Sequence, residues 1–237
     1  MFSRTRSHSF SLIVAFAAVL LVSAIHPAHG FTIRGVGTAN LIGGDLTDPE
    51  NDGAPDADSN YNATFISSEE PGFGGGEFAF NVFDNIVGPQ NAKWCCGDQN
   101  NFPTNPISID ATFSQPFVLG RFTITSGNDT PARDPRVWQI LGSNDGSTFT
   151  PIFSQNDPNA SLWGATRDQV LQFDVGTDFA VPAAYSIIRF ETTATGATTG
   201  ARFQLAELEY FAVPEPSSIV LLASSLMLAA SRRRRQE

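Results

Sequence analysis

Histidine is nearly missing from this chain of 237 residues, and its three copies, His8, His26 and His29, all lie before residue 30. Beyond that point no imidazole is available. Serine- or cysteine-histidine catalytic arrangements and most zinc sites are therefore excluded from the remainder. Cysteine is equally scarce. The two copies, Cys95 and Cys96, are adjacent, so the Cys-x-x-Cys spacing of redox enzymes is absent. Basic residues are few: residues 31–216 carry 23 acidic side chains against 8 basic ones, a balance of −15. Such a surface repels nucleic acid phosphates and anionic lipid, which argues against both as partners of residues 31–216. No apolar run reaches the roughly 20 residues of a comfortable membrane span.

Both termini read as addressing devices. Arg4 and Arg6 precede an apolar run from Phe10 to Ile25, and Ala28-His29-Gly30 supplies small residues for cleavage. This is the layout of a secretory signal peptide over residues 1–30. At the other end, Val213-Pro214-Glu215-Pro216 leads into a mostly apolar stretch of 12 residues, Ile219–Ala230, and then Arg232, Arg233, Arg234 and Arg235. The arginines hold that end in the cytoplasm. Pro-Glu-Pro, a short apolar segment and a terminal arginine cluster, in that order, resemble the PEP-CTERM sorting signal of exported proteins in Gram-negative bacteria that make exopolysaccharide. The resemblance implies processing by a membrane sorting enzyme of the exosortase type, at least transient membrane contact through residues 213–237, and a final place in the cell envelope, on the outer surface or in the extracellular matrix.

Between the two ends, short runs rich in Val, Ile, Thr and Phe alternate with Gly- and Pro-containing turns, which predicts an all-β sandwich or barrel. The expected strands are Thr32–Val36, Ala63–Ser67, Ile107–Phe113, Phe117–Ser126, Arg136–Ser143, Phe149–Phe153, Gln169–Asp174, Tyr185–Thr192 and Phe203–Phe211. The clearest unit is Arg133–Phe153, a strand, a Ser143-Asn144-Asp145-Gly146 turn and a returning strand. In Phe203–Phe211 the apolar alternation slips by one residue, which a bulge near Ala206 would restore. Phe78–Phe83 fits either a helical turn or an irregular strand.

Glu77–Asn85 followed by Asn91-Ala92-Lys93-Trp94, then Arg133–Gly146, then Phe203–Phe211, resemble in order and spacing the discoidin-like (coagulation factor type C) domains over about residues 75–211. The resemblance implies one antiparallel jelly-roll β-sandwich of the galactose-binding-like kind over residues 31–212, a fold that is rarely catalytic by itself. It also implies a structural calcium ion held by Asp84 and Glu207, although Asn85–Gln90 is longer and more apolar than the family's Gly-Asn turn, and Ala92 stands where a hydroxyl residue is usual.

Three further groups of residues are singled out. Asp48, Glu50, Asp52, Asp56 and Asp58 form a second candidate calcium loop, without EF-hand spacing. Cys95 and Cys96 are either a vicinal disulfide or packed thiols. Trp163, in a turn-rich loop beside Arg167 and Asp168, is either a sugar-stacking platform or a plug folded into the core, whereas Trp94 and Trp138 are expected in the core. The expected function is non-catalytic binding of carbohydrate, foremost exopolysaccharide. The alternatives are a structural matrix protein without a specific small ligand, and a secreted hydrolase using paired carboxylates.

Overall fold

Alternating apolar side chains oblige the strands to pair into sheets that cover one another, and they do so in two layers. The computed structural model describes residues 30–71, 75–88, 91–98, 104–158, 161–196 and 202–214, so the segment expected to be a signal peptide, but for its last residue, and the tail beyond Pro214 lie outside it. In chain order the strands are β1 (Thr32–Val36), β2 (Ala63–Ser67), β3 (Trp94–Asp98), β4 (Ile107–Thr125), β5 (Pro135–Ser143), β6 (Thr150–Gln155), β7 (Gln169–Asp174), β8 (Ala184–Thr195), β9 (Arg202–Leu205) and β10 (Glu207–Ala212).

Strand β4 organises both layers. Its first part, from Ile107, pairs with β2 on one side and β8 on the other. Its last part, to Thr125, pairs with β7 and β10. The sequence predicts two strands here, whereas the structure has one 19-residue strand with a shift in register between Thr112 and Phe117. Pro116, which has no N–H to donate, stands in that irregular stretch, where Ser114–Pro116 face solvent. One layer therefore reads β1-β7-β4-β10 and the other β2-β4-β8-β5-β6, all pairs antiparallel.

The layers meet through aromatic rings. Phe122 and Phe173 stack at 4.8 Å, Phe153 lies 4.8 Å from Phe173, and Trp138 meets Phe122 edge-on at 6.2 Å. The slip at Ala206 is a break rather than a bulge. Phe203 and Leu205 on β9 join β3 in a small two-stranded sheet, and β10 joins β4. The Ala206 N–H then donates to the Thr125 carbonyl, 3.0 Å. Residues Ala79–Phe83 form a 3-10 turn, settling the choice left open by the sequence.

Candidate functional site

The 3-10 turn ends on Asp84, and Asn85 follows with φ of 55°, a left-handed conformation that asparagine tolerates. This turn delivers the Asp84 carboxyl to the start of β10, where Glu207 points inward. Both expected calcium residues are buried, at 1% and 0% exposure, and their carboxyl groups are close enough to influence one another. Asp45 and Asp48, from the loop after β1, are buried beside them. The Asn85 amide ties the group together by donating to Asp45 Oδ2 (3.1 Å) and to Asp48 Oδ2 and the Asp48 carbonyl (3.2 Å each). Gly53 closes the wall. A Cβ there would lie 3.0 Å from Asp48 Oδ2 and 3.0 Å from Asp84 Cα.

Several oxygens in this pocket have no hydrogen-bond partner: Asp84 Oδ2, Asn85 Oδ1, both Glu207 carboxylate oxygens and the Tyr61 hydroxyl. Burial pushes the Asp84 carboxyl up to about 7 and that of Asp45 to about 6, and it pushes Glu207 well above the carboxylate range with neighbouring Asp84 adding to the effect. Burial and the facing carboxylates also raise the Tyr61 hydroxyl. Buried, partnerless carboxylate oxygens require a proton or a cation. Glu209, also buried, needs neither, since it accepts from the Ile42 and Gly43 N–H groups and the Thr123 hydroxyl. Among the described residues no three His, Cys, Asp or Glu side chains are grouped to hold a metal ion. A cation here would draw on Asp84, Glu207 and Asn85 Oδ1 together with main-chain carbonyls, a mixed oxygen set of the kind calcium accepts.

The second expected calcium loop does not converge. Asp48 is buried and spends its carboxylate on the Asp52 and Gly53 N–H groups. Asp56 turns to the Glu77 N–H, Asn81 and Asn91, at 2.7, 2.9 and 2.6 Å. Glu50, Asp52 and Asp58 are exposed. The chain folds this stretch by capping its own N–H groups, which sends the carboxylates in different directions.

The expected sugar platform also fails on geometry. Trp163 is 2% exposed and belongs to the aromatic core, so neither face of its ring is open to a ligand. Arg167 grips the buried Asp134 carboxylate with both terminal nitrogens, at 2.9 and 2.6 Å, and Asp168 sits in a left-handed turn with φ of 56°. These residues pin the loop before β7 to the loop after β4. Alongside, the buried Lys93 reaches Asn128 (2.7 Å), Asp129 (3.4 Å) and Glu77 (3.5 Å). Trp94 and Trp138 are core residues, both fully buried, as their sequence positions predict. Cys95 is disulfide-bonded, and the side chain of Cys96 lies outside the described residues.

A groove that sequence reasoning missed runs along β2. Tyr61 and Phe113 supply aromatic walls, and Asn62, Thr64, Thr112 and Ser114 supply an amide and three hydroxyls around a volume of about 380 Å³. No charged side chain lines it. Its signal in the sequence is faint: Tyr61-Asn62-Ala63-Thr64 precedes Phe113 by some fifty positions, and only the pairing of Ala63 with Phe113 brings them together. Tyr61 belongs to both places, its ring in the groove and its hydroxyl against the carboxylate pocket.

Residues 212–235 match the PEP-CTERM protein-sorting motif. No curated protein sequence matches the chain. Among solved structures it resembles CpGH89CBM32-5 from Clostridium perfringens, in complex with GalNAc-β-1,3-galactose, at 19% identity and a TM-score of 0.47, over 64% of this chain and 96% of that one. It also resembles chitosan-binding module 1 of a chitosanase/glucanase from Paenibacillus sp. IK-5, at 18% and 0.44, over 63% and 95%. The family 32 carbohydrate-binding module of EndoD from Streptococcus pneumoniae matches at 12% and 0.46, over 64% and 96%. The likeness is one of β-sandwich fold. Of the sorting motif, Pro214 is described, and Glu215, Pro216 and Arg232 to Arg235 lie outside the described residues.

Proposed function

We propose that this is an exported, surface-sorted and non-catalytic carbohydrate-binding protein whose sugar contact is the Tyr61–Phe113 groove. The observation that carries the reading is the lining of that groove. Aromatic rings pack against the apolar faces of a sugar, and an amide with three hydroxyls bonds its polar edge. In a domain of charge −15, an uncharged groove selects a neutral glycan such as an exopolysaccharide segment. The sorting motif supports a cell-envelope address for such an activity, and in this reading an exosortase-type enzyme is the processing partner and the tail is the membrane attachment.

A calcium ion held by Asp84 and Glu207 would be structural. It would neutralise the buried carboxylates and set the position of the Tyr61 hydroxyl, and through it one wall of the groove. The disulfide at Cys95 pairs with Cys96 in this reading and is likewise structural.

A glycan array carrying neutral galactose-, GalNAc- and chitosan-type sugars together with the host's own polysaccharide tests the assignment. Thr64 is exposed and lines the groove, so Thr64→Arg fills it without touching the core. Binding by the unmodified protein and its loss in Thr64→Arg, with an unchanged unfolding midpoint, is the expected outcome. Binding that survives Thr64→Arg moves the sugar elsewhere, and an array silent for both proteins overturns the carbohydrate reading. A turnover assay on the same polysaccharide should show no release of shorter chains.

A further inference from the structure

The two ends of the folded chain leave the sandwich at the same end of one layer, with β7 and β4 between them. Thr32 of β1 lies opposite Gln172 of β7, and Phe31 packs on Phe173 at 5.8 Å. Asp174, at the end of β7, pairs with Arg121 of β4, and Arg121 pairs on its other side with Phe211 of β10. The C-terminal strand holds to its last residues. Ala212 is in register with Leu119, and the Val213 N–H donates to the Val118 carbonyl at 2.8 Å. Gly120 permits this approach, since a Cβ there would lie 2.8 Å from the Val213 nitrogen and 2.9 Å from its Cα. The sorting motif therefore starts with no linker between it and the sandwich.

Residue count then fixes how far this end can stand from a membrane. The apolar stretch begins at Ile219, five residues beyond Pro214. Fully extended, five residues span at most about 18 Å. Once the stretch enters a bilayer, the face carrying Pro214 is held against the headgroup layer, at a high effective concentration.

That face is built for such contact. A groove of about 450 Å³ opens between Phe211 and Val175, with Val213 and Pro214 at its edge. The one ion pair in its lining, Arg121 with Asp174 at 2.6 Å, is internally neutral. Val181 is 70% exposed and Val213 36%, two of the five exposed large apolar side chains among the described residues. The segment bearing Val181 runs from Phe179, bridged to Val175, to Ala184, which pairs with the same Val118 that holds Val213. Exposed valines around a groove whose charges cancel in one ion pair suit the boundary between headgroups and acyl chains.

We infer that this end of the sandwich is a lipid-facing surface, and that the Phe211–Val175 groove and its valine rim rest on the outer leaflet while the tail is attached. The inference rests on the reading of the tail as membrane-inserting. It is independent of the sugar assignment, and it turns the Lys93–Asn128–Asp129 loops, at the far end of the β4–β10 pairing, away from the membrane.

The test uses the full chain in vesicles of phosphatidylethanolamine and phosphatidylglycerol, with a fluorophore on Val181→Cys or, as control, on the exposed Thr130→Cys, and nitroxide lipids labelled near the headgroup. Flotation with the vesicles and quenching several-fold stronger at position 181 than at 130 is the expected result, with both variants keeping the parent's unfolding midpoint. Flotation with equal quenching at the two positions overturns lipid docking. Equal quenching that rises at 181 only when a sorting enzyme is reconstituted alongside assigns the face to that enzyme and overturns it as well. Failure to float overturns the reading of the tail and this inference with it, whatever the glycan array shows.

Discussion

Asp84 and Glu207 face each other in a buried pocket, where Asp84 Oδ2 and both Glu207 oxygens lack a hydrogen-bond partner. Without a cation, the folded protein keeps protons that the unfolded chain has released. The folded values of about 7 for Asp84 and about 6 for Asp45 stand above the ordinary 3.8. Between those limits the native state binds more protons than the unfolded state, so stability falls as pH rises from about 4 to 7. Calcium requires deprotonated ligands, so the rise in melting temperature on adding calcium should grow from pH 5 to pH 8. Replacing Glu207 with Gln gives Asp84 a permanent neutral donor, where the acid must take up a proton on folding to stay uncharged. That variant should be more stable than the parent in EGTA, by about 1 kcal/mol or more, the scale of one pKa unit. It should lose the calcium response, and melting curves with and without calcium read both effects. A calcium response that persists in Glu207→Gln would remove Glu207 from the site.

The same scale decides Arg167. Its partner Asp134 is 1% exposed, and no other cation is paired with that carboxylate among the described residues. Arg167→Met strands a buried charge and should cost about 3–5 kcal/mol in urea unfolding. If Arg167 were a ligand-binding residue of an open site, the loss would fall on binding and leave stability near that of the parent.

At the scale of elements, the β5–β6 hairpin shows how a legible motif acquires its role. The Ser143–Gly146 turn is formed as its residues predict, with Gly146 at φ of 67° and the Asp145 carboxylate accepting from the Ser147 and Thr148 N–H groups. Those bonds hold Asp145 at about 2, well below the ordinary range. Asn144 does something the pattern did not announce. Its side chain donates to the Ala184 carbonyl (3.0 Å) and accepts from the Ser186 N–H (2.8 Å), locking the turn to the start of β8. Asn144→Ala should lower stability by about 0.5–1.5 kcal/mol, seen as a drop in urea midpoint with glycan binding intact. Gly142 is fixed by the same neighbour strand, since a Cβ there would meet the Tyr185 ring at 2.1 Å. Strand existence was legible because period-two alternation is local. The continuity of β4 and the break at Ala206 were not, because each depends on which sheet the strand joins.

For the whole molecule, charge and address stand together. A balance of −15 over residues 31–216 repels itself in the compact state. Raising ionic strength from about 10 mM to 150 mM shortens the screening length from about 30 Å to 8 Å and should raise the melting temperature in EGTA. With the carboxylate pocket filled by calcium the same change should have a smaller effect, since part of the repulsion is already neutralised.

By itself the sequence determined the all-β class, the positions of most strands though not of β3, the absence of histidine chemistry, the acidic surface and the sorting tail. All of these rest on composition, on alternation within a few residues, or on a contiguous motif. It also named Asp84 and Glu207, because their positions fall in segments that resemble a known domain. Only the tertiary structure decided that the two carboxyl groups meet in a buried pocket, that Trp163 is core rather than platform, and that Tyr61 and Phe113 line one groove. Burial and long-range register are properties of the packed layers, and no short stretch of chain encodes them alone.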